Sequence, residues 1–434
     1  MRATEPALPS CAVFGSGALG LGFLGPELAP CCRVSFVDIP AKADLIARLH
    51  GEGAYVVNQT GLSMRAVQVR SVDALCVDDR RAVQRLLDSA DLAFTAVGEA
   101  NLPKLVPLLA EAAARRSPCR PLRVLCSENG VEVARNLRAA VEREAGRGLD
   151  ERLLVGDTVM GRMCKLVEHP PPPVQPVAPG LDWAVVAEPF FGIPVEEHAV
   201  TGLGGLPAAV EPQPPARFRA SEDVKMLAHN GLHAVLACIG RLRGRAHFDE
   251  LRADGEAIEM GRSLLMDEAG PALMRKHGPA LPRSEYLNYC DSILRRITCP
   301  VFHDPVARGV RGIMRKLEPQ ERLVYSLRTV ADQGIEPRVY AGGVAAAVLV
   351  AQRTGETDME FREFLTAHCG FVPSRDGPLL SLIESRRDWL NAFTSQERVG
   401  QAGAGRRDNE GDCQNSDRPT GSLRSSDNSG MKPP

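Results

Sequence analysis

Short apolar runs separated by polar and glycine-rich turns occupy the first half of the chain, and a helical period takes over in the second. Cys11-Ala12-Val13-Phe14 is a short apolar run of strand type. It leads directly into Gly15-Ser16-Gly17-Ala18-Leu19-Gly20-Leu21-Gly22-Phe23-Leu24-Gly25, a glycine turn opening a helix. Val34-Ser35-Phe36-Val37 is the next strand and ends at Asp38. Leu92-Ala93-Phe94-Thr95-Ala96-Val97-Gly98 and Val124-Leu125-Cys126-Ser127-Glu128-Asn129 are two further strand ends of the same sheet. Proline-rich segments, His169 to Gly180 and Glu211 to Pro215, interrupt this alternation, and the prolines at 170–173 read as an exposed loop between strands. From Ser221 onward the period is helical, which places a division near residue 218. Ala341 to Ala351 is an uncharged apolar run, about half of what a bilayer requires, and predicts a buried helix. Beyond Gln396 large apolar residues almost vanish, so residues 397–434 are expected to stay disordered.

The order of strand, glycines, helix and distal acid specifies a dinucleotide site. Glycines at 15, 17 and 20 allow a tight turn, close approach of backbone to a pyrophosphate, and packing of the helix on the strand. Ala18 and Leu19 lie within that turn. Asp38, about twenty residues further on, is placed to accept hydrogen bonds from the adenosine ribose and to repel a 2′-phosphate, which favours NAD over NADP. Ligands sit at the carboxyl ends of such strands, so Val97 and Gly98 are expected beneath the adenosine side and Asn129 near the nicotinamide ribose.

A formal net charge of −2, with acids and bases interspersed, offers no broad field to nucleic acid or membrane. Twelve cysteines without a CxxC pair or regular spacing point to a reducing cytoplasm. The adjacent Cys31 and Cys32 read as small buried hydrophobes. The chain starts in a strand-like segment rather than a secretory signal.

The chemistry sits in Lys225-Met226-Leu227-Ala228-His229-Asn230-Gly231-Leu232-His233. At about 100° per residue, His233 lies roughly 80° and Asn230 roughly 140° from Lys225, so one side of a helix presents a base and two hydrogen-bonding groups. The same residues also fit a buried helix with a polar seam, Lys225 reaching solvent and the others satisfied by carbonyls. A second segment runs from Asp304 to Leu317. If it is helical, Arg308, Arg311 and Arg315 fall within about 60° of one another, although Gly309 and Gly312 weaken that assumption.

Lys225-x4-Asn230-x2-His233 resembles the signature of the polyol-specific long-chain dehydrogenases, and other motifs follow in that family's order. They are the glycine turn, Thr95 to Gly98, Ser127 to Asn129, Asp157 to Arg162, Glu188-Pro189-Phe190, and Asp304 to Leu317. The resemblance runs from about residue 11 to about residue 355 and implies an α/β protein. An extended Rossmann domain (1–218) would precede a mostly α-helical substrate domain (219–396), with the active site between them. It implies NAD as cofactor and no metal, with Lys225 as general base toward a secondary hydroxyl. Asn230 and His233 would donate to the developing oxyanion, and His229 would be structural. Asp157, Arg162 and Arg308 would touch substrate, and Arg311 and Arg315 would read a phosphate, since arginines at those two places mark the sugar-phosphate branch.

The expected reaction is interconversion of mannitol 1-phosphate and fructose 6-phosphate. The rivals are an unphosphorylated polyol, a hexuronate, a hydroxyacid, or a protein that binds NAD without turnover. Departures around the substrate pocket bear on that choice. Gly161-Arg162 stands where the family has Asp-Arg, Ile193 where it has tryptophan, and Arg296-Ile297-Thr298-Cys299-Pro300 where it has Arg-Phe-x-Asn-Pro.

Overall fold

Alternation along each short apolar run is resolved by burial on both sides. Cys11, Val13, Phe36, Phe94 and Leu125 enter one core, and Ala12, Phe14, Val37, Ala93 and Val124 enter another. A strand buried on both faces has no polar side, which is why the runs read as continuous.

In the computed structural model, which describes residues 8–130, 132–146, 148–189 and 192–407, the N-terminal half contains ten strands in two sheets and a separate parallel pair, Ile193–Glu196 and Val210–Gln213. In chain order the strands are β1 (Ser10–Phe14), β2 (Arg33–Asp38), β3 (Ala54–Gln59), β4 (Arg65–Arg70) and β5 (Val72–Cys76). They continue as β6 (Leu92–Thr95), β7 (Leu122–Cys126), β8 (Leu153–Asp157), β9 (Cys164–Glu168) and β10 (Trp183–Ala187). The six-stranded sheet has the order β5-β2-β1-β6-β7-β8, with every pair parallel. This is the doubly wound dinucleotide-binding order, whose direction reverses between β1 and β6. Val13 lies opposite Phe36 on one side and Phe94 on the other. The four-stranded sheet, β4-β3-β10-β9, covers one face. Helices Arg80–Ser89, Leu102–Arg115 and Val133–Ala145 cover the other. The proline-rich stretch 169–180 connects β9 to β10.

The second half is helical from Pro215. Helix Pro215–Val224 continues through a π-helical turn, Lys225–Gly231, into helix Leu232–Leu242 without a break in winding direction. Leu232–Leu242 packs along the wholly buried stretch of Arg338–Thr354, the helix expected around Ala341 to Ala351. No helix of the described residues is long and apolar enough to cross a membrane.

One expectation changes. The segment Asp304 to Leu317 is two short helices, Val306–Val310 and Ile313–Lys316, because Arg311 turns extended (ψ 131°) and Gly312 adopts φ 64°, a conformation only glycine enters freely. The last helical segment, Pro373–Arg407, breaks at Asp376 (φ −102°, ψ 16°), and residues 408–434 of the tail expected from 397 lie outside the described residues. Among the described residues, those up to Arg387 form one compact unit and those from Asp388 belong to another.

Candidate active site

The glycine turn is fixed by its own backbone. A Cβ on Gly20 would sit 2.0 Å from the Gly15 carbonyl oxygen, and one on Gly15, at φ 100°, 2.4 Å from that of Ala96. No larger residue closes this turn, whereas Gly17 faces open space. Gly15, Gly17, Asp38 and Val97 line a cavity of about 730 Å³ at the carboxyl ends of β1, β2 and β6. Gly98, at φ 82°, begins the next turn.

The Asp38 carboxylate accepts from Ser16 N at 2.6 Å, Ser16 Oγ at 2.5 Å and Ile39 N at 2.8 Å, with Lys42 at 3.3 Å. Burial opposes its ionisation, but these hydrogen bonds and the Lys42 charge outweigh burial and hold it below the usual carboxylate range. A fixed anion at the end of β2, in an open cavity bordered by glycine backbone, suits an adenosine ribose. Asp38→Ala is therefore expected to raise KM for NADH about tenfold or more and to narrow the preference over NADPH, checked by initial rates with both cofactors.

A second cavity, of about 250 Å³, borders the same turn from the other side. Its wall contains Ala18, Leu19, Asn129, Arg162, Lys225, His229, Asn230, His233, Arg308 and Arg322. The base, both of its expected partners and three arginines therefore share one space. The π turn explains how. Its hydrogen bonds close from i to i+5, so each turn takes more residues than an α-helical one and Asn230 comes closer to Lys225 round the axis than the 140° that ordinary winding gives. The Leu227 carbonyl accepts both the Leu232 N–H and the Tyr340 hydroxyl (3.0 Å), an inserted side chain that supports the wide turn.

Lys225 Nζ donates to Asn129 Oδ1 at 2.6 Å. Burial, then the nearby Arg322 charge, lower the lysine to about 8, with Glu222 pulling the other way. Asn129 is held in turn by its neighbour. Glu128, half-buried, accepts from Thr95 Oγ1 at 2.6 Å and Val97 N at 3.1 Å, tying the ends of β6 and β7 together. His233 stacks on Phe248 with ring centroids 4.4 Å apart, and its Nε2 lies 3.2 Å from Asp304 Oδ2. Asp304 also takes a two-point contact from Arg308, both bonds 2.6 Å, and is depressed to about 2, as its hydrogen bonds outweigh burial. His229 is buried with Nδ1 3.1 Å from the Tyr289 hydroxyl, and burial then Arg296 push it well below its ordinary range.

Four expected substrate contacts lie elsewhere or face another way. Asp157, at the end of the edge strand β8, accepts from Ala134 N at 2.9 Å and borders a separate cavity with Glu196, Glu222 and Asp223. Arg162 reaches the wall of the Lys225 cavity, but its side chain is 0% exposed, pairs with Glu27, donates to Gly22 O at 3.1 Å and covers the Phe23 ring. Arg311 and Arg315 are exposed and absent from that wall, because the helix breaks between Arg308 and Arg315. Arg315 pairs with Glu321. Sequence spacing missed Arg322, which is on the wall; the one signal was its place in an acidic-basic cluster, Glu318-Pro319-Gln320-Glu321-Arg322. The departure at Gly161 meets Arg296, the arginine that the chain keeps from the family pattern. Arg296 donates to Gly161 O at 2.6 Å and, in a buried pair, to both oxygens of Glu188.

A family model for the mannitol dehydrogenase Rossmann domain matches residues 11–203, and one for the mannitol dehydrogenase C-terminal domain matches residues 219–363. The mannitol-1-phosphate 5-dehydrogenase of an Exiguobacterium species is 32% identical over 340 residues, covering 77% of this chain and 84% of its own. That of Geobacillus thermodenitrificans is 31% identical over 358 residues, covering 80% and 87%. Among solved structures, Pseudomonas fluorescens mannitol 2-dehydrogenase, in a ternary complex with NAD and D-mannitol, has a TM-score of 0.69 at 15% identity, covering 91% of this chain and 95% of that one. A substrate-free D-sorbitol dehydrogenase has a TM-score of 0.70 at 16% identity, covering 89% and 94%. Those two share the fold.

Proposed function

We propose that this chain, which belongs to the mannitol dehydrogenase family and is an NAD-dependent dehydrogenase, interconverts mannitol 1-phosphate and fructose 6-phosphate, with Lys225 as general base. The observation that carries the reading is the convergence of Lys225, Asn129, Asn230, His233, Arg308 and Arg322 on one cavity beside the glycine turn. The names of the 32% and 31% identical relatives support the phosphorylated substrate.

NAD, when bound, supplies the hydride acceptor. Gly15, Gly17, Gly20, Asp38, Val97 and Gly98 would hold its adenosine and pyrophosphate side, and Ala18, Leu19 and Asn129 the side toward Lys225. The neutral amine of Lys225 takes the proton of the secondary hydroxyl, and Asn230 donates to that oxygen as it gains charge, a contact worth about 2–4 kcal/mol in the transition state. His233 is better suited to accepting. With Nε2–H directed at Asp304, the neutral ring offers Nδ1 as an acceptor that positions an adjacent hydroxyl, whereas a donor role at the reacting oxygen needs the imidazolium. An amine base and amide donors complete this oxidation without a metal. We place the division between cofactor and substrate halves near residue 218 and the protein in the cytoplasm, in keeping with the free thiols of the eleven described cysteines.

The pH profile follows from the sign of the lysine shift. Its folded value, about 8, lies below that of a free lysine, so the neutral base accumulates as pH rises toward and through 8. For oxidation, kcat/KM is expected to climb with unit slope below pH 8 and level above it. Reduction, which uses the ammonium as acid, should fall over the same range. A pH-independent kcat/KM between 6 and 10 would remove Lys225 from the reaction.

One observation favours a second reading. Arg311 and Arg315, the arginines that distinguish the sugar-phosphate branch, stand off the cavity wall, so a hexuronate or an unphosphorylated polyol is the competing substrate. NADH oxidation with fructose 6-phosphate beside fructose and fructuronate decides. A preference for either unphosphorylated ketose replaces the first reading with the second.

A further inference from the structure

Charge balance around the Lys225 cavity is uneven. Arg162 is matched by Glu27, and Arg308 occupies both oxygens of Asp304. Arg322 has no carboxylate of its own. Glu321 accepts from its Nε at 3.2 Å, but the other oxygen of Glu321 is taken by Arg315. Lys316, buried nearby, rests its ammonium on the Gly309 carbonyl rather than on an acid. Arg322 and Arg315 therefore share one carboxylate, and Lys316 touches none among the described residues.

The hydrogen bonding of Arg322 is equally incomplete. Its side chain is only 13% exposed, yet among the described residues no group accepts from either of its Nη nitrogens. A sheltered guanidinium with both terminal donors unpaired is the half of a fork contact that a tetrahedral oxyanion completes. Burial disfavours its charge, and Arg315 adds to that, so a bound anion relieves both.

Resting on the reading that the substrate is a sugar phosphate, we propose that Arg322 receives the phosphate, with Arg308 beside it, and that Arg315 acts as a positioning residue through Glu321. The ligand class is a phosphomonoester dianion on a polyol or ketose whose reacting carbon reaches Lys225.

The test compares full-length wild type with Arg322→Ala, Arg322→Lys and Arg315→Ala. Two readouts are taken: the ratio of kcat/KM for fructose 6-phosphate to that for fructose, and calorimetric affinity of the enzyme–NADH complex for inorganic phosphate. Arg322→Ala is expected to lower the ratio about 100-fold, Arg322→Lys by less, and Arg315→Ala by less than about tenfold. Phosphate affinity should fall in the same order. A ratio within about threefold of wild type in Arg322→Ala, with fructose 6-phosphate still turned over, overturns the assignment. If wild type does not use fructose 6-phosphate, the substrate reading fails by itself. Phosphate titration then decides Arg322 alone: equal affinities in wild type and Arg322→Ala remove it, and a loss of tenfold or more keeps it as an anion site. Should Arg322→Ala not fold, Arg322→Lys carries both comparisons, because it keeps the charge and loses the fork.

Discussion

Lys225→Ala is expected to lower kcat about 10³-fold in both directions while NADH still binds by fluorescence titration. The argument is local. Lys225 is the one amine on a wall that also carries Asn129 and Asn230, and no carboxylate borders that cavity among the described residues to take over the proton. His229 and His233 are poor substitutes, since the first is engaged with Tyr289 and the second with Asp304. The truncation leaves a space beside Asn129 that a small primary amine can enter. Added methylamine should restore part of the rate, more effectively as pH rises, and a merely structural lysine would show no such rescue. Retention of more than a tenth of wild-type kcat in Lys225→Ala would move the base elsewhere.

Arg296→Met should cost about 3–5 kcal/mol of stability, because it leaves the Glu188 carboxylate buried without its partner. Glu188 is 3% exposed and also accepts from Met163 N at 2.7 Å, so it neither reaches water nor rotates away. The midpoint of urea unfolding reports the loss. The double variant Glu188→Gln with Arg296→Met should recover most of it, since an amide tolerates the site without a counter-charge. If single and double variants unfold at the same midpoint, the pair is not what holds these segments together.

Much of the cofactor half is legible in the sequence because its strands are buried on both faces. Cys11 to Phe14 and Val34 to Val37 have one available reading, and glycines 15, 17 and 20 mark where backbone meets backbone. Asp38 follows from its place at a strand end. Asp157 also ends a strand, but β8 is the edge of the sheet, and its end borders a cavity with Glu222 and Phe218 rather than the glycine turn.

Helix winding is the other gap. Nothing in Lys225 to Gly231 signals the wider turn, whose Leu227 carbonyl accepts from Tyr340, far along the chain. Between Arg308 and Arg315, Gly312 did carry the warning, and its left-handed conformation separates side chains that an unbroken helix would align. Arg322 lies 97 positions from Lys225, and only the tertiary fold joins them (322 − 225 = 97). Its neighbour Glu321 makes it look like an ordinary surface ion pair.

The π turn has a meaning for how the long helix 215–242 divides its labour. A segment wound uniformly has a single register, so whatever moves its chemical groups also rotates its hydrophobic stripe. Here one surplus residue is stored at Lys225–Gly231. The amine upstream and the apolar surface of Leu232–Leu242 downstream are thereby set in separate registers. The rod can keep its grip on Arg338–Thr354 while its other end is aimed to suit the reacting oxygen.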